Sequence, residues 1–355
     1  MTVDRLFAKA AVAAAVVGVV CWGGAASTSA SGAGGPFRWL EPEVTLTSAD
    51  LRGLDWGGVV KTLPSRKGEL AVFTATRLNA SPDVFVEWTR RIEALKRGPA
   101  IPAVGRFSDP PKLDDLDGLV LDRRDLDAIR QCRPGDCKVK LSADEIEAFR
   151  PVVAEGRDDA IHVAFRRMLL ARLNAYRAGG LETAPAPATR SDAPKPSDVF
   201  AALVTNSPYI GRSDPRLLAW LENPNDVSRA NVESFFYWSK EYYASGKPVV
   251  SLIHVGITRQ TPGGEGPEVL VAGKNLYSTR YMNGTLTLTA LVRDPASGSL
   301  YLTYVHRTQL DMLNRFFGGI ARAIVQSRIV DGGPELLRIL RTRVEGGPPP
   351  AADRE

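Results

Sequence analysis

Residues 281–294 read YMNGTLTLTALVRD, and the fold turns on how that stretch is read. Leu286, Leu288, Ala290 and Val292 recur at every second position, with Thr285, Thr287 and Thr289 between or before them. Period two is the mark of a strand whose side chains alternate between faces, so this segment carries an apolar face backed by hydroxyls. Asn283-Gly284 ahead of it is the two-residue hairpin signal, and DPASGS, residues 294–299, supplies a longer turn. Working outward, Val249–Arg259, Val269–Met282 and Leu300–Arg307 also read as strands. Four successive strands with short loops predict an antiparallel meander, because parallel neighbours need a crossover.

Upstream, ELAVFTATRLNAS (69–81) alternates as a further strand, and Ser81-Pro82 opens a helix expected to run through Lys96. Its Phe85, Trp88, Ile92 and Leu95 form a core-facing stripe. A short strand is expected at Val104–Phe107, within a loop-like stretch. The carboxylates Asp114, Asp115 and Asp117 fail the EF-hand calcium template, since Leu113 and Arg124 fall where carboxylates are needed. Asp122 is placed to cap a short helix, and Ser142-Ala-Asp-Glu145 forms a capping box. Helical periodicity runs from Asp158 to Ala178, a Pro/Ala-rich connector spans Thr183–Ser197, and RLLAWLE follows Asp214-Pro215. The aromatic-dense VESFFYWSKEYY, Val232–Tyr243, is expected to be helical. One long helix is predicted from Leu310 to about Val330, with Leu313, Phe317, Ile320 and Ile324 inward, followed by a final turn through Leu340.

The N-terminus carries Arg5 and Lys9, an apolar run from Ala10 to about Ala26 and small residues before Ala30. That pattern predicts a signal peptide over 1–30 and export to the periplasm or beyond; an uncleaved anchor is the other reading. Residues 31–60 look like a loose lead-in, 61–345 a single α+β domain, and 346–355 a disordered tail. The formal net charge of +5 is too mild to argue for nucleic acid. Arginines 307, 315, 322, 328, 338, 341 and 343 crowd the C-terminal part, which suits either a solvated helix face or an anionic membrane surface. In an oxidising compartment Cys132 and Cys137, in QCRPGDCKVKL, are expected to pair around a Pro134-Gly135 turn, with a short strand at Lys138–Leu141. Redox, metal and haem readings of that pair want two intervening residues, clustered histidines or C-x-x-C-H, and none of these is present.

Strand, helix, short strand, meander and terminal helix is the element order of a helix-grip fold. ELAVFTATRLNASPDVFVEWTRRI (69–92) and YMNGTLTLTALVRD with SLYLTYVHRTQLDMLNRFFGGIARAIV (281–325) together resemble the START/Bet v 1-like (SRPBCC) superfamily. The chain is also similar to uncharacterised secreted bacterial proteins carrying the CRPGDCKVKL type of segment. The resemblance implies a curved antiparallel sheet packed on the long C-terminal helix; the helical block at about 142–246 departs from that pattern and would be a large insertion. It also implies a cavity between sheet and helix for a hydrophobic small molecule or lipid, and it transfers no active site.

Polar groups that would orient such a ligand are His254, Tyr277, Arg280, Tyr304 and His306, all on or beside the meander. Tyr304 and His306 share a strand face, while Arg307 points the other way, with Asp311 its expected partner. No nucleophile, phosphate-binding loop or zinc motif accompanies them, so no catalytic residue, metal or cofactor is assigned. Two other readings remain: an enzyme of cyclase-like or hydrolytic type on the same fold, and an envelope interaction protein with a filled core.

Overall fold

Thr285–Val292 lies inside a strand of an eight-stranded antiparallel sheet, so the chain is α+β, and the late strands form an antiparallel meander. The computed structural model describes residues 35–347 and 349, except 56, 190–192, 224–231, 243–245, 262–265, 315–321, 323, 324 and 327–336. The expected leader, and most of the helix predicted from Leu310 to Val330, lie outside those residues.

The strands are β1 (Val59–Thr62), β2 (Glu69–Leu78), β3 (Ala103–Arg106), β4 (Glu233–Tyr242), β5 (Pro248–Arg259), β6 (Pro267–Ser278), β7 (Met282–Arg293) and β8 (Leu300–Leu310). Their order across the sheet is β1-β2-β8-β7-β6-β5-β4-β3. The first and last long strands of the chain, β2 and β8, are paired along their whole length from Glu69↔Gln309 to Leu78↔Leu300.

Among the described residues, the α-helices before β3 are α1 (Ser48–Asp55), α2 (Pro82–Arg90) and α3 (Ile92–Lys96). Between β3 and β4 come α4 (Arg123–Gln131), α5 (Ala143–Ala154), α6 (Asp158–Gly179), α7 (Pro196–Thr205), α8 (Tyr209–Ser213) and α9 (Pro215–Glu222). Two of the caps read from sequence, Ser81 and the Ser142 box, are in place, and Asp214 caps the helix that it opens. Ser81 Oγ accepts from Val84 N–H, Ser142 and Glu145 make the reciprocal capping box, and Asp214 accepts from Arg216 and Leu217 N–H.

The register sorts side chains onto two faces. Phe236, His254, Lys274, Leu286, Arg307 and Ala71 form one cross-strand row. The adjacent row, Phe235, Val255, Gly273, Thr287, His306 and Val72, points to the opposite face. The helices between β3 and β4 cover the first face: Tyr176 of α6 meets His254, and Lys274 lies under Phe200 of α7. We call it the insertion face. The opposite face receives α2, with Phe85, Val86 and Trp88, and the late residues Leu340 and Val344 from a helical segment at 337–345.

Two glycines let the insertion dock. A Cβ on Gly256 of β5 would sit 2.7 Å from the Trp220 ring of α9, and one on Gly284 would sit 2.7 Å from Val199 of α7. We expect Gly256→Val to destabilise the fold by about 1–3 kcal/mol, because a rigid indole cannot yield to it. Thermal melting with tryptophan fluorescence reads the displaced ring, and an unchanged melt and spectrum would disprove this account.

Several expectations need correcting. Residues 233–242 are strand β4, not helix. Phe, Tyr and Trp fit a pleated sheet surface at least as well as a helix, and β5 gives this segment a partner along its length. Residue 246, the expected end of the insertion, therefore lies beyond β4, and α9 is the last described helix before that strand.

Asn283-Gly284 is not a hairpin turn, for β7 already runs through it. The chain reverses at Thr279–Tyr281, where Tyr281 takes φ 63°, and Gly284 instead falls at a register shift under α7. Leu310 does not begin a helix. It closes β8, and Asp311–Asn314 form a single 3-10 turn. The predicted α2 breaks at Arg91, the 31–60 lead-in contains α1 and the start of β1, and Lys138–Leu141 forms no strand.

The Cys132–Cys137 disulfide is present, its Cα atoms 4.4 Å apart around Gly135 at φ 86°. Asp122 stands at the N-cap of α4 but makes no side-chain cap; its carboxylate binds Lys240 and Tyr242 instead. Closing so short a loop removes little chain entropy, so reduction is expected to cost about 2 kcal/mol. Melting with and without reductant measures it, and a loss several times larger would mean the bridge holds more than its own turn.

Candidate functional site

β7 and β8 sit in the middle of the sheet, yet their two faces differ in access. Leu286, Leu288 and Ala290 of β7 and Thr303, Val305 and Arg307 of β8 are buried against the insertion. Thr287, Thr289, Tyr304 and His306, pointing the other way, keep accessible surface, as does Asn275 of β6. Gly273 stands in the same row as Thr287 and His306 and contributes no side chain. A glycine inside a strand is where a sheet bends or another group comes close.

These accessible groups are not at an outer surface. Burial pushes the Tyr304 phenol well above the ordinary tyrosine range. It also lowers His306 to about 4, against a raising effect from Glu241, so the imidazole is neutral at pH 7. Lys96, Tyr237 and Glu241 all act electrostatically on Tyr304, and Glu241 and Lys96 act on His306. Tyr237 and Glu241 belong to β4, which is four strands from β8. Four steps of a flat sheet span about 19 Å. The two strands sense each other because the sheet curls toward this face, with Lys96 of α3 reaching into the bend.

The groups in the bend are ordered by one another. Lys96 Nζ lies 3.1 Å from Glu241 Oε1 and 3.3 Å from the Tyr237 hydroxyl. Ser239 donates to Glu241 at 2.8 Å. The Tyr304 hydroxyl and His306 Nδ1 are 3.1 Å apart. Thr74, opposite Tyr304 on β2, is buried with its Oγ1 unpartnered. At one end Phe85, Trp88, Val255, Val271 and Leu302 make an apolar wall; at the other are Leu70, Val72, Leu310 and Leu313.

Of the five residues singled out from sequence, the structure brings together only Tyr304 and His306 on this concave face. His254 and Tyr277 lie on the insertion face. His254 stacks on Phe236 at 4.0 Å, shares a hydrogen bond with the Tyr176 hydroxyl at 3.0 Å, and leaves Nε2 unpartnered. Burial holds it well below the ordinary histidine range. The Tyr277 ring lies 4.4 Å under the Arg172 guanidinium, and its hydroxyl is unpartnered. Arg280, in the turn after β6, is buried against Asp125 of α4 and the Pro248 carbonyl. Arg307 does point away from His306, but its partner is Glu69 on the paired strand rather than Asp311.

Sequence reasoning missed Lys96, Tyr237, Glu241, Asn275 and Thr287. The signal for two of them was present: read as a strand, Phe235, Tyr237, Ser239 and Glu241 share a face. Of the described C-terminal arginines, Arg338 is exposed and three others have partners in the fold. Arg322 donates to Ser65 and Arg66, Arg341 pairs with Glu345, and Arg343 binds carbonyls at Ala94 and Arg97. Among the described residues no group of three or more His, Cys, Asp or Glu is arranged to hold a metal ion, and no helix is long and apolar enough to cross a membrane.

No family model matches the chain, and no curated protein matches it. Among solved structures it is similar to TTHA0849 from Thermus thermophilus, at 15% identity, over 42% of this chain and 90% of that one, with a TM-score of 0.24.

Proposed function

We propose that this is an exported protein that binds a small, largely apolar molecule in the bend of its sheet, with Tyr304 and His306 orienting the ligand's polar end. One observation carries the reading: Tyr304 and His306 lie deep in the fold, act with groups four strands away, and still keep accessible surface. An apolar enclosure with a few converging polar groups is the usual form of a small-molecule site. The order β2-β8-β7-β6-β5-β4-β3, with α2 and α3 between β2 and β3, suits a helix-grip arrangement and supports the START/Bet v 1-like reading. The helices inserted between β3 and β4 pack on the opposite face, so they do not themselves occupy the bend. The disulfide suits export.

The test is organic extraction and native mass spectrometry of the purified protein, followed by titration with a neutral apolar fluorophore such as Nile red. Bound mass, or saturable binding weakened about tenfold or more by His306→Phe with the melting temperature kept, is the expected result. Absence of both would end the carrier reading and favour a filled-core interaction protein. Turnover abolished by the same substitution would favour the enzyme.

A further inference from the structure

Resting on that reading, we infer that His306 holds the ligand's polar end by donating a hydrogen bond from Nε2 to an acceptor oxygen, that of a ketone or ester carbonyl. Tyr304 stands behind it as a positioning residue. The two ring nitrogens are in different situations. Nδ1 lies 3.1 Å from the Tyr304 hydroxyl. Nε2 makes no hydrogen bond among the described residues, yet unlike Nε2 of His254 it is not a sealed atom. The ring therefore turns its second nitrogen toward accessible space on the concave face.

Which nitrogen carries hydrogen follows from the partner. Among the described residues the phenol hydrogen of Tyr304 has one acceptor, His306 Nδ1. Thr74, opposite on β2, makes no bond with it. A phenol is also a better donor than an imidazole N–H, and an imidazole nitrogen a better acceptor than a phenol oxygen. The bond thus runs from Tyr304 O–H to Nδ1, which leaves the hydrogen of the neutral ring on Nε2. A protonated ring carries a hydrogen there too, so the donor is present in either charge state.

That donor fixes the chemistry of what it meets. An apolar molecule entering beside Val271 and Leu302 strips water from Nε2–H, and leaving the hydrogen unpaired costs free energy. A hydrocarbon returns nothing, and a group that only donates cannot pair with it. A carbonyl oxygen returns two lone pairs and brings no hydrogen of its own to satisfy.

The experiment compares butyrophenone with butylbenzene, which differ by a carbonyl in place of a methylene, as competitors of Nile red, corrected for the probe's own affinity in each variant. In His306→Phe, butyrophenone should weaken about tenfold and butylbenzene by less than about twofold. His306→Gln, whose amide can place an N–H where Nε2 stands, should hold butyrophenone within about threefold of wild type. Equal losses for both molecules in a folded His306→Phe variant, or no rescue by a folded His306→Gln, would overturn the donor while leaving the site standing. No binding of Nile red or of either competitor would overturn the site itself.

Nitrogen NMR of the histidine side chains reads the tautomer in the wild type, with His306→Gln identifying the signal among the three histidines. Hydrogen on Nε2 is expected, and hydrogen on Nδ1 would overturn the inference. In Tyr304→Phe the Nδ1 resonance should move to that of an unbonded imidazole nitrogen, and butyrophenone should weaken less than in His306→Phe. An unmoved resonance would show that Tyr304 does not position the ring.

Discussion

Replacing Lys274 with methionine should stabilise the protein, by about 2–4 kcal/mol at neutral pH and below. Lys274 lies on the insertion face at 2% exposure, and its ammonium donates to the Leu221 carbonyl at 2.8 Å. Aromatic rings are its other close company, the Phe200 centroid at 4.4 Å and that of Tyr176 at 5.4 Å. No carboxylate pairs with it among the described residues. Burial therefore pushes it down to about 7 from an ordinary 10.5.

The sign follows from linkage. The unfolded chain holds this proton up to about pH 10.5, whereas the folded chain releases it near 7, so the folded state is penalised wherever the group is charged in both. The penalty is complete below pH 7, shrinks as pH rises from 7 to 10.5, and is absent above. Methionine fills similar volume without the charge. The stability gap between wild type and Lys274→Met, measured by urea denaturation, should therefore be widest below pH 7 and close toward pH 10. A destabilised variant, or a gap that ignores pH, would show that the ammonium has a partner worth more than its desolvation.

Glu69→Ala should act in the opposite direction and cost about 3–5 kcal/mol. Glu69 and Arg307 are each about 3% exposed and face each other across β2 and β8, Oε1 to Nη1 at 2.6 Å. The other carboxylate oxygen accepts from Asn206, just after α7, at 2.6 Å, and Arg307 reaches the Tyr209 hydroxyl of α8 at 3.3 Å. Removing the carboxylate strands a buried guanidinium without its counter-charge and cuts the tie from the sheet to Asn206 at the end of α7. The double variant Glu69→Gln with Arg307→Met should recover most of the loss, because the cost lies in the uncompensated charge rather than in the missing pair. If the double variant is as unstable as the single, the pair itself holds the strands together.

The two residues also show how legibility divides. That Arg307 points away from His306 is readable from the chain, since strand parity is a local property. Its partner is not. Nearness in sequence suggests Asp311, four positions on, whereas the carboxylate that meets it is Glu69, on a strand that pairs only after the whole sheet has closed. The same division separates the candidate residues. Tyr304 and His306 share a face by period two alone, and nothing in the sequence says that the face is concave. His254 and Tyr277 sit on equally convincing strands, and the sequence does not say that helices cover them.

Local chemistry was therefore settled by the chain itself. The alternation of Thr285–Val292, the caps at Ser81, Ser142 and Asp214, and the pairing of Cys132 with Cys137 each depend on residues a few positions apart, whose energies are fixed by backbone geometry. Folding in three dimensions alone decided that 233–242 would be a strand, since β5 offered it hydrogen bonds that an isolated helix would have made internally. It alone decided that Gly284 would serve α7 rather than a turn. It also decided that Lys96 and Glu241 would act electrostatically on Tyr304 and His306. Those encounters arise from the curl of the sheet, a sum of small twists over many strands that no single stretch of sequence encodes.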